Sequence, residues 1–267
     1  MLRGTVVGHF GAVTQTSPIV AARPCQRARD CGHVPVTARS HFDDDIARAW
    51  GMYALADTCA SSDVPLGIDV ARTAVAFGVG ALDAYLCDAF TDSLARCLKH
   101  CRRNGSQIPS GYARLALPVG PLLADYPVRS NWGLRMATRA LMERDNLLQL
   151  SRLKELLNPA LPAGHRLWAD MVDDYIALDR KRLTGIRRAP YRALTGTAKS
   201  KAPAKASAAV MRRMGEIVQR RHDIVHNCDR PKTAKQPLTL PKAAKMITDV
   251  QDFVTILDDH LDAHRLF

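Results

Sequence analysis

The sequence predicts an all-α protein, a compact bundle of about six helices, and three observations support that prediction. Apolar residues recur at intervals of three and four over most of the chain from residue 41 onward. No segment alternates apolar and polar residues over the length of a strand, and no period of about 20 to 50 residues repeats. The 267 residues are 47% hydrophobic, which is typical of a globular chain that buries a core.

The first 39 residues differ from the rest of the chain. They contain a single acidic residue and show neither helical nor alternating periodicity. We therefore expect residues 1–39 to be a disordered basic arm, or the result of a start codon placed upstream of the true one. A metal site formed by Cys25, Cys31 and His33 is the alternative, but no second pair of ligands at suitable spacing accompanies these residues. Residues 40–267 are expected to form the helical domain.

Six segments carry the helical pattern. The first has an acidic first turn, Asp43–Asp45, which suits the helix dipole, and the second is the longest and most apolar. Four prolines between Asn104 and Trp132 predict a long irregular connection or short helical turns there. The six predicted helices span residues 41–59, 69–101, 133–157, 167–183, 203–227 and 241–264.

Positive charge is concentrated in one part of the chain. Lysine and arginine number 38 against 26 aspartate and glutamate, a net charge of +12, so the protein attracts polyanions, nucleic acid and anionic membrane surfaces first among them. The stretch from Arg180 to Arg213 contains no acidic residue, and we expect a flexible basic loop over 184–206 that leads into the fifth helix. The residues expected to contact RNA phosphates are Arg187, Arg188, Arg192, Arg212 and Arg213.

Composition also bears on location. The best apolar stretch, Thr73–Leu82, is much shorter than the roughly 20 residues of a membrane span and is bounded by charged residues, so we expect no membrane segment. Seven cysteines spread over a long chain are unlike the dense, even sets of small secreted domains. The sequence therefore predicts a cytoplasmic protein.

Common catalytic and metal motifs are absent from the sequence, including phosphate-binding glycine loops, the nucleophile elbow and paired C-x-x-C. Cys97 and Cys101 flank His100 on a predicted helix, and we interpret the two cysteines as buried thiols. His260 and His264 share one helix face at i and i+4. No third ligand lies near them in sequence, and histidines at a helix C-terminus suit the dipole. We therefore expect no metal and no cofactor.

The end of the fifth helix carries the strongest functional pattern. Arg221 falls inside an apolar stripe, so its side chain must be paired or must line a cleft. A structural arginine that reaches water, or pairs with a buried carboxylate such as Asp83, is one reading of it. His226 lies about 140° further round an ideal helix, so both side chains could face one cleft only if the helix loosens or a second subunit completes the site. The stripe consists of Val210, Met214, Ile217, Val218, Ile224 and Val225.

An arginine and a histidine together suit RNA chemistry. An imidazole whose pKa is near neutrality can move a proton to or from a 2′-hydroxyl or a leaving 5′-oxygen. A guanidinium can hold the phosphoryl oxygens as negative charge develops on them. Cleavage of this kind requires no metal ion.

The same segment resembles the signature of HEPN domains, in which an arginine, a polar residue, three further residues and a histidine follow one another. It reads Arg221-His222-Asp223-Ile224-Val225-His226, and with its neighbours it is similar to the RiboL-PSP-HEPN branch. The apolar run that starts at Arg72 and leads into Asp83 and Tyr85 is similar to the early helix of that branch. The resemblance covers about residues 68–100 and 211–228 and is only general between them.

This resemblance implies a homodimer that forms through the signature helices and has a composite active site. It implies a metal-independent endoribonuclease that cuts RNA by attack of the 2′-hydroxyl, leaves a 2′,3′-cyclic phosphate and serves as a toxin or antiviral effector, often with a neutralising antitoxin. In this chain His226 would be the acid and base, and Arg221 the phosphate clamp. His222, Asn227 and Arg220 would position the substrate.

A non-catalytic helical module is the second hypothesis. The basic stretch between Arg180 and Arg213 is longer and more charged than the signature needs, so binding of nucleic acid or of a protein partner could be the whole function. The two hypotheses differ in what they require of His226, because only the enzyme needs its imidazole.

Overall fold

The computed structural model describes residues 37–123, 132–142, 148–230 and 234–267, and every regular element in these ranges is helical. Most of the proposed arm over 1–39, with Cys25, Cys31 and His33, lies outside the described residues. Thr37–Arg39 are described, and they belong to the start of the first helix. The α-helices are α1 (Ala38–Ala60), α2 (Val64–Asn104), α3 (Ser110–Ala113), α4 (Val119–Leu123), α5 (Trp132–Met142), α6 (Leu150–Leu157), α7 (Leu167–Asp170), α8 (Val172–Ala177), α9 (Lys181–Thr184), α10 (Arg188–Arg192), α11 (Gly196–Asn227) and α12 (Leu240–His264).

Helices α1 and α2 form a tight helical hairpin. The Thr37 hydroxyl accepts the Ser40 N–H at 3.1 Å, and a carboxylate oxygen of Asp63 accepts the Leu66 N–H at 3.0 Å, so both helices begin at capped ends. The chain turns back within three residues. A Cβ at Gly67 would lie only 2.5 Å from the Cβ of Ala60, so this close approach of the two helices requires glycine.

The long helix α2 is the centre of the fold and packs against α1, α5, α11 and α12. Its fully buried side chains include Leu82, Tyr85 and Phe90. The Tyr85 hydroxyl donates to Asp258 of α12 at 2.9 Å, which ties the two helices through the core. Because α2 touches the other long helices, its faces determine which clefts can open between them.

The structure corrects two of the predicted helices. The predicted helix over 133–157 is two helices, α5 and α6, and Gln149 before α6 has an extended backbone with ψ of 96°. The predicted helix over 167–183 is three short ones, α7 to α9. Asp179 separates α8 from α9 with a φ of 52°, a left-handed conformation that a helix cannot contain. Of the two alternatives for the stretch between Asn104 and Trp132, short helical turns are present in its described part, as α3 and α4.

The predicted basic loop is also corrected. Residues 188–192 form α10, and residues 196–206 are the first three turns of α11. This segment is rich in alanine, which has the highest helix propensity, and Ala202 and Ala206 are buried against Val172, Ile176 and Tyr191. Alanine propensity and this packing outweigh the disruption by Pro203.

One described helix, α2, is long and apolar enough to cross a membrane by length and composition. Of its most apolar window, 56% is buried inside the protein. The buried core helix of a helical bundle passes the same test of length and composition.

Candidate functional site

The candidate site lies at the C-terminal end of α11. The helix stays regular through Asn227 and ends where Cys228 and Asp229 take left-handed conformations, with φ of 45° and 62°. It therefore does not loosen between Arg221 and His226. The two side chains leave the helix about 140° apart, so within one chain they point in different directions.

A buried network of charged groups anchors this end of α11. Asp229 Oδ2 accepts from Arg220 Nη2 at 2.7 Å and from Arg72 Nε of α2 at 2.5 Å. Gln236 completes the network, because its side-chain oxygen accepts from Arg220 and its amide nitrogen donates to Asp223 at 3.0 Å. Burial lowers the pKa of Arg220, and its Nε has no hydrogen-bond partner among the described residues. The network fixes the end of α11 against α2.

The predicted apolar stripe is wrong only at its last position, because Val218 and Ile224 are partly buried against the core. Val210, Met214 and Ile217 are buried, but the next buried positions are Arg220 and Asp223. Val225, placed in the stripe by the sequence, is 48% exposed. Arg220, expected to position substrate, is instead 5% exposed and committed to Asp229 and Gln236.

Arg221 lies at a cleft between α1, α2 and α11, with a volume of about 360 Å³. The Arg48 guanidinium lies 5.6 Å from the centre of the Phe77 ring and 3.3 Å from a carboxylate oxygen of Asp45. Gly80 leaves the α2 wall of the cleft open, since a Cβ there would meet nothing within 4 Å. Residues lining the cleft include Asp45, Arg48, Phe77, Gly80, Arg221 and Val225.

Arg221 is half-buried, and its guanidinium makes no hydrogen bond or ion pair with the residues that the structure describes. Its charge acts on Asp83 of α2: burial raises the pKa of that carboxyl, and Arg221 partly opposes the rise. Arg221 therefore affects the pKa of Asp83 through its charge, although the two side chains do not form an ion pair. This leaves the donors of Arg221 available to an anion entering the cleft.

His226 and His222 lie next to each other on the exposed face of α11, with ring centroids 4.6 Å apart. Asn227 is also exposed, and its amide donates to Asp223 at 3.5 Å. The structure thus brings the two histidines together and leaves Arg221 apart from them at the cleft. In a single chain, the proposed acid/base and the proposed clamp do not meet.

The basic surface is partly neutralised by acids from distant parts of the sequence. Asp249, fully buried on α12, accepts from Arg182 at 2.7 Å and from Arg213 at 2.9 Å. Arg187 pairs with Asp179 at 3.4 Å. Arg188 and Arg192 line a second, shallow pocket. Among the described residues, no carboxylate pairs with the side chains of Arg188, Arg192 or the exposed Arg212.

The residues of the site that were not predicted from the sequence include Arg48, Phe77 and Asp229. Phe77 fits the apolar pattern of the second helix, and its 41% exposure depends on how α1 and α11 pack beside it. The turn after α11 did give a signal for Asp229, since aspartate tolerates left-handed backbone better than most residues. Its two arginine partners come from elsewhere in the chain.

Neither metal ligation in the described residues nor similarity to a known protein identifies the function of this site. Within the described ranges, no group of three or more His, Cys, Asp or Glu side chains could hold a metal ion. Cys97 and Cys101 are buried and free, as predicted, and burial raises the pKa of Cys97 to about 12. No family model, curated protein or solved structure matches the chain.

Proposed function

We propose that the protein is a metal-independent endoribonuclease of HEPN type, which cuts RNA by attack of the 2′-hydroxyl to leave a 2′,3′-cyclic phosphate. One observation carries the proposal: Arg221 lines an open cleft and has no ion-pair partner among the described residues, while the imidazole of His226 is exposed five residues further along the same helix. A buried arginine network holds that helix end in place, so both groups have fixed directions.

The active site requires two copies of the chain. Since Arg221 and His226 diverge by about 140° on a regular helix, a second subunit across the cleft is the arrangement that brings an imidazole to the clamp. Exposed apolar side chains at the rim support such a contact, because Phe77 is 41% and Val225 48% exposed. A symmetric dimer would form two equivalent composite sites.

In this mechanism each residue has a separate task. His226 takes the proton from the 2′-hydroxyl and returns a proton to the leaving 5′-oxygen, and Arg221 holds the phosphoryl oxygens as charge builds on them. His222 and Asn227 position the substrate beside His226. Arg220 acts indirectly, by fixing the helix end. The exposed arginines Arg187, Arg188, Arg192 and Arg212 dock the RNA backbone, and the buried pairing of Arg213 with Asp249 holds that surface to α12.

The test is cleavage of a mixed RNA pool in EDTA by the wild-type protein and by His226→Ala, with chemical analysis of the product ends. We expect cyclic phosphate ends from the wild type and a loss of rate by about 10²–10⁴ in the variant, the usual worth of a general acid or base. His100→Ala removes a histidine outside the cleft and should cut normally. Loss of cleavage together with helical content in His226→Ala would indicate a folding role and contradict the assignment.

The second candidate function is a nucleic-acid-binding module without catalysis. It is favoured by Arg188, Arg192 and Arg212, which are exposed and whose side chains pair with no carboxylate in the part of the chain that the structure describes, because such groups release counterions when they meet phosphate. Charge reversal of Arg188 and Arg192 should weaken RNA binding and flatten its dependence on salt. Salt-sensitive binding of RNA that the wild type leaves intact would favour this module over the enzyme.

A toxin or antiviral role in the cytoplasm, neutralised by a partner protein, accompanies the ribonuclease proposal. It rests on the resemblance of the α11 motif alone. Growth arrest on expression of the wild type, absent with His226→Ala, would support it.

A further inference from the structure

The exposed face of α11 carries a row of positive side chains that ends at His226. On a regular helix, Lys201, Lys205 and His226 all point within about 40° of the direction of Arg212. All four are exposed, and the helix is continuous over Gly196–Asn227, so they form one straight row along it. At about 1.5 Å per residue the row is roughly 38 Å long. We call these four residues the basic track.

The charge of the basic track is not compensated. No carboxylate in the described part of the chain pairs with any of its three cations. The two acids of α11 are engaged elsewhere, because Glu216 lies 3.4 Å from Arg213 and Asp223 is buried. By contrast, the buried carboxylate of Asp249 compensates the charge of Arg213. The basic track therefore remains available to phosphate groups.

Helix α10 adds cations beside the start of the basic track. Its Tyr191 is buried in one cluster with Ala202 and Ala206 of α11, which places α10 against the first turns of that helix. Arg188 and Arg192 of α10 are exposed. Attraction of a polyanion is thus strongest at the end of the track that is far from the proposed acid and base.

The side chains on α11 suit the backbone of a nucleic acid rather than its bases. The helix contains no phenylalanine, tyrosine or tryptophan, so bases have no such ring on which to stack. Lysines act as point charges toward phosphate, and phosphate contacts position a strand without reading its sequence. Between Arg212 and His226 the surface is open, since a Cβ at Gly215 would meet nothing within 4 Å.

We propose that the basic track binds the backbone of a single RNA strand and leads it to His226. A flexible strand can follow a straight row of charges, whereas the phosphates of a duplex wind about the duplex axis. Attack by a 2′-oxygen also requires that it lie in line with the leaving 5′-oxygen, an alignment that a stacked helical strand does not offer. The reaction at His226 rests on the proposed ribonuclease function, but binding along the track does not require cleavage.

The first measurement is binding of a 2′-O-methyl RNA strand of about 16 nucleotides, which has no free 2′-hydroxyl to attack, to the full chain. Lys201→Glu combined with Lys205→Glu should raise the Kd roughly 10–30-fold at about 0.1 M salt. The slope of log Kd against log salt should fall by about 1.4, because each phosphate contact on a single strand contributes about 0.7. A strand of about 4 nucleotides cannot span the track and should bind more weakly.

The matched control combines Lys154→Glu with Lys242→Glu, two exposed lysines on α6 and α12. It changes the net charge by the same amount and should leave the Kd within about threefold, since salt screens distant charges. Glutamate and lysine have similar helix propensities, and circular dichroism checks that both double variants keep their helices. Equal weakening in the two would indicate attraction by net charge alone and overturn the track. An RNA duplex that binds as tightly as the single strand would overturn the choice of a single strand.

Cleavage in EDTA separates the basic track from the ribonuclease proposal. Lys201→Glu with Lys205→Glu should raise KM and leave kcat near that of the wild type, because these lysines bind the strand away from the reacting atoms. If the wild type binds the strand through the track but cuts no RNA, the track is supported and the ribonuclease proposal is contradicted. If the wild type cuts RNA and this double variant binds and cuts equally well, the ribonuclease is supported and the track is overturned.

Discussion

The ends of α11 and α12 carry the same sequence pattern in two different settings. Each has two histidines at i and i+4, with ring centroids 4.6 Å apart on α11 and 4.5 Å apart on α12. On α11 both rings are exposed and have no third histidine beside them in the described structure. On α12, His260 is buried and His165 packs against it. Equal spacing therefore gives an exposed acid/base candidate at one end and a partly buried, hydrogen-bonded histidine cluster at the other.

The two ends also differ in how they are held. Asp229 is fully buried beyond α11 and accepts from two arginines, whereas Asp262 near the end of α12 is exposed and pairs with Arg265. A buried charge that loses its partner costs far more than an exposed one. The site on α11 thus depends on a buried network to keep its direction.

The largest expected effect is the loss of that network. Asp229→Ala leaves the guanidinium groups of Arg72 and Arg220 buried without their shared carboxylate. We expect the free energy of unfolding, measured by urea denaturation, to fall by about 3–5 kcal/mol. Asp262→Ala is the control and should cost less than about 1 kcal/mol, because Asp262 is exposed. Equal losses in the two variants would contradict the anchoring role of Asp229.

Substitutions of two glycines on different faces of α2 are expected to have smaller effects on stability. A Cβ at Gly78 would lie 3.6 Å from Ile247 of α12, while a Cβ at Gly80 would meet nothing within 4 Å and would face the cleft beside Arg221. Gly78→Leu should cost about 1–3 kcal/mol through overpacking. Gly80→Leu should raise stability by about 0.5–1 kcal/mol, because glycine inside a helix is unfavourable.

The same pair of variants tests the cleft itself. Gly80→Leu fills the space beside Arg221, so we expect RNA cleavage to fall although the protein is more stable. Thermal melting and the EDTA cleavage assay measure the two effects independently. Unchanged cleavage in Gly80→Leu would show that the RNA phosphate binds elsewhere.

The long helices could be predicted because their own residues determine them. The apolar positions of α1, α2 and α12 repeat at helical spacing, and the predicted ends of α12 agree with the structure to within one residue. The basic segment was predicted as a loop because Pro203 and many lysines suggest one. Its helix depends on alanines packed against Val172 and Ile176, which lie some 25 to 30 residues earlier in the chain.

Long-range contacts explain what the sequence did not predict about the ends of α11 and α12. Arg220 and Arg221 are adjacent in sequence, and it is Arg220 that is buried, because it follows Ile217 on the packed face of α11 and donates to Asp229 and Gln236. His165 lies 95 residues before His260, so no local spacing could supply the third ring of the cluster. Motif spacing identified the candidate residues, and packing determined which of them are free to react.

The smallest expected effect concerns Asp83, the carboxylate that Arg221 influences. Burial raises its pKa above the usual value, so its contribution to stability is present at low pH and is lost as the pH rises through the raised pKa. Asp83→Asn should therefore be slightly more stable than the wild type at pH 7, by no more than about 1 kcal/mol. The difference should vanish below about pH 4, where the carboxyl is protonated in both states.

A double-mutant cycle that combines Asp83→Asn with Arg221→Gln tests whether Arg221 pairs with Asp83 or is free to bind phosphate. Because Arg221 opposes the rise of the Asp83 pKa, removing the arginine leaves the buried carboxylate less compensated. The gain from Asp83→Asn at pH 7 should then be larger in the Arg221→Gln background, by the coupling energy of the two side chains. If Asp83→Asn instead lowers the Tm at pH 7, then Asp83 and Arg221 form a stabilising ion pair. Arg221 would then be structural, and the cleft would contain no free guanidinium to hold a phosphate.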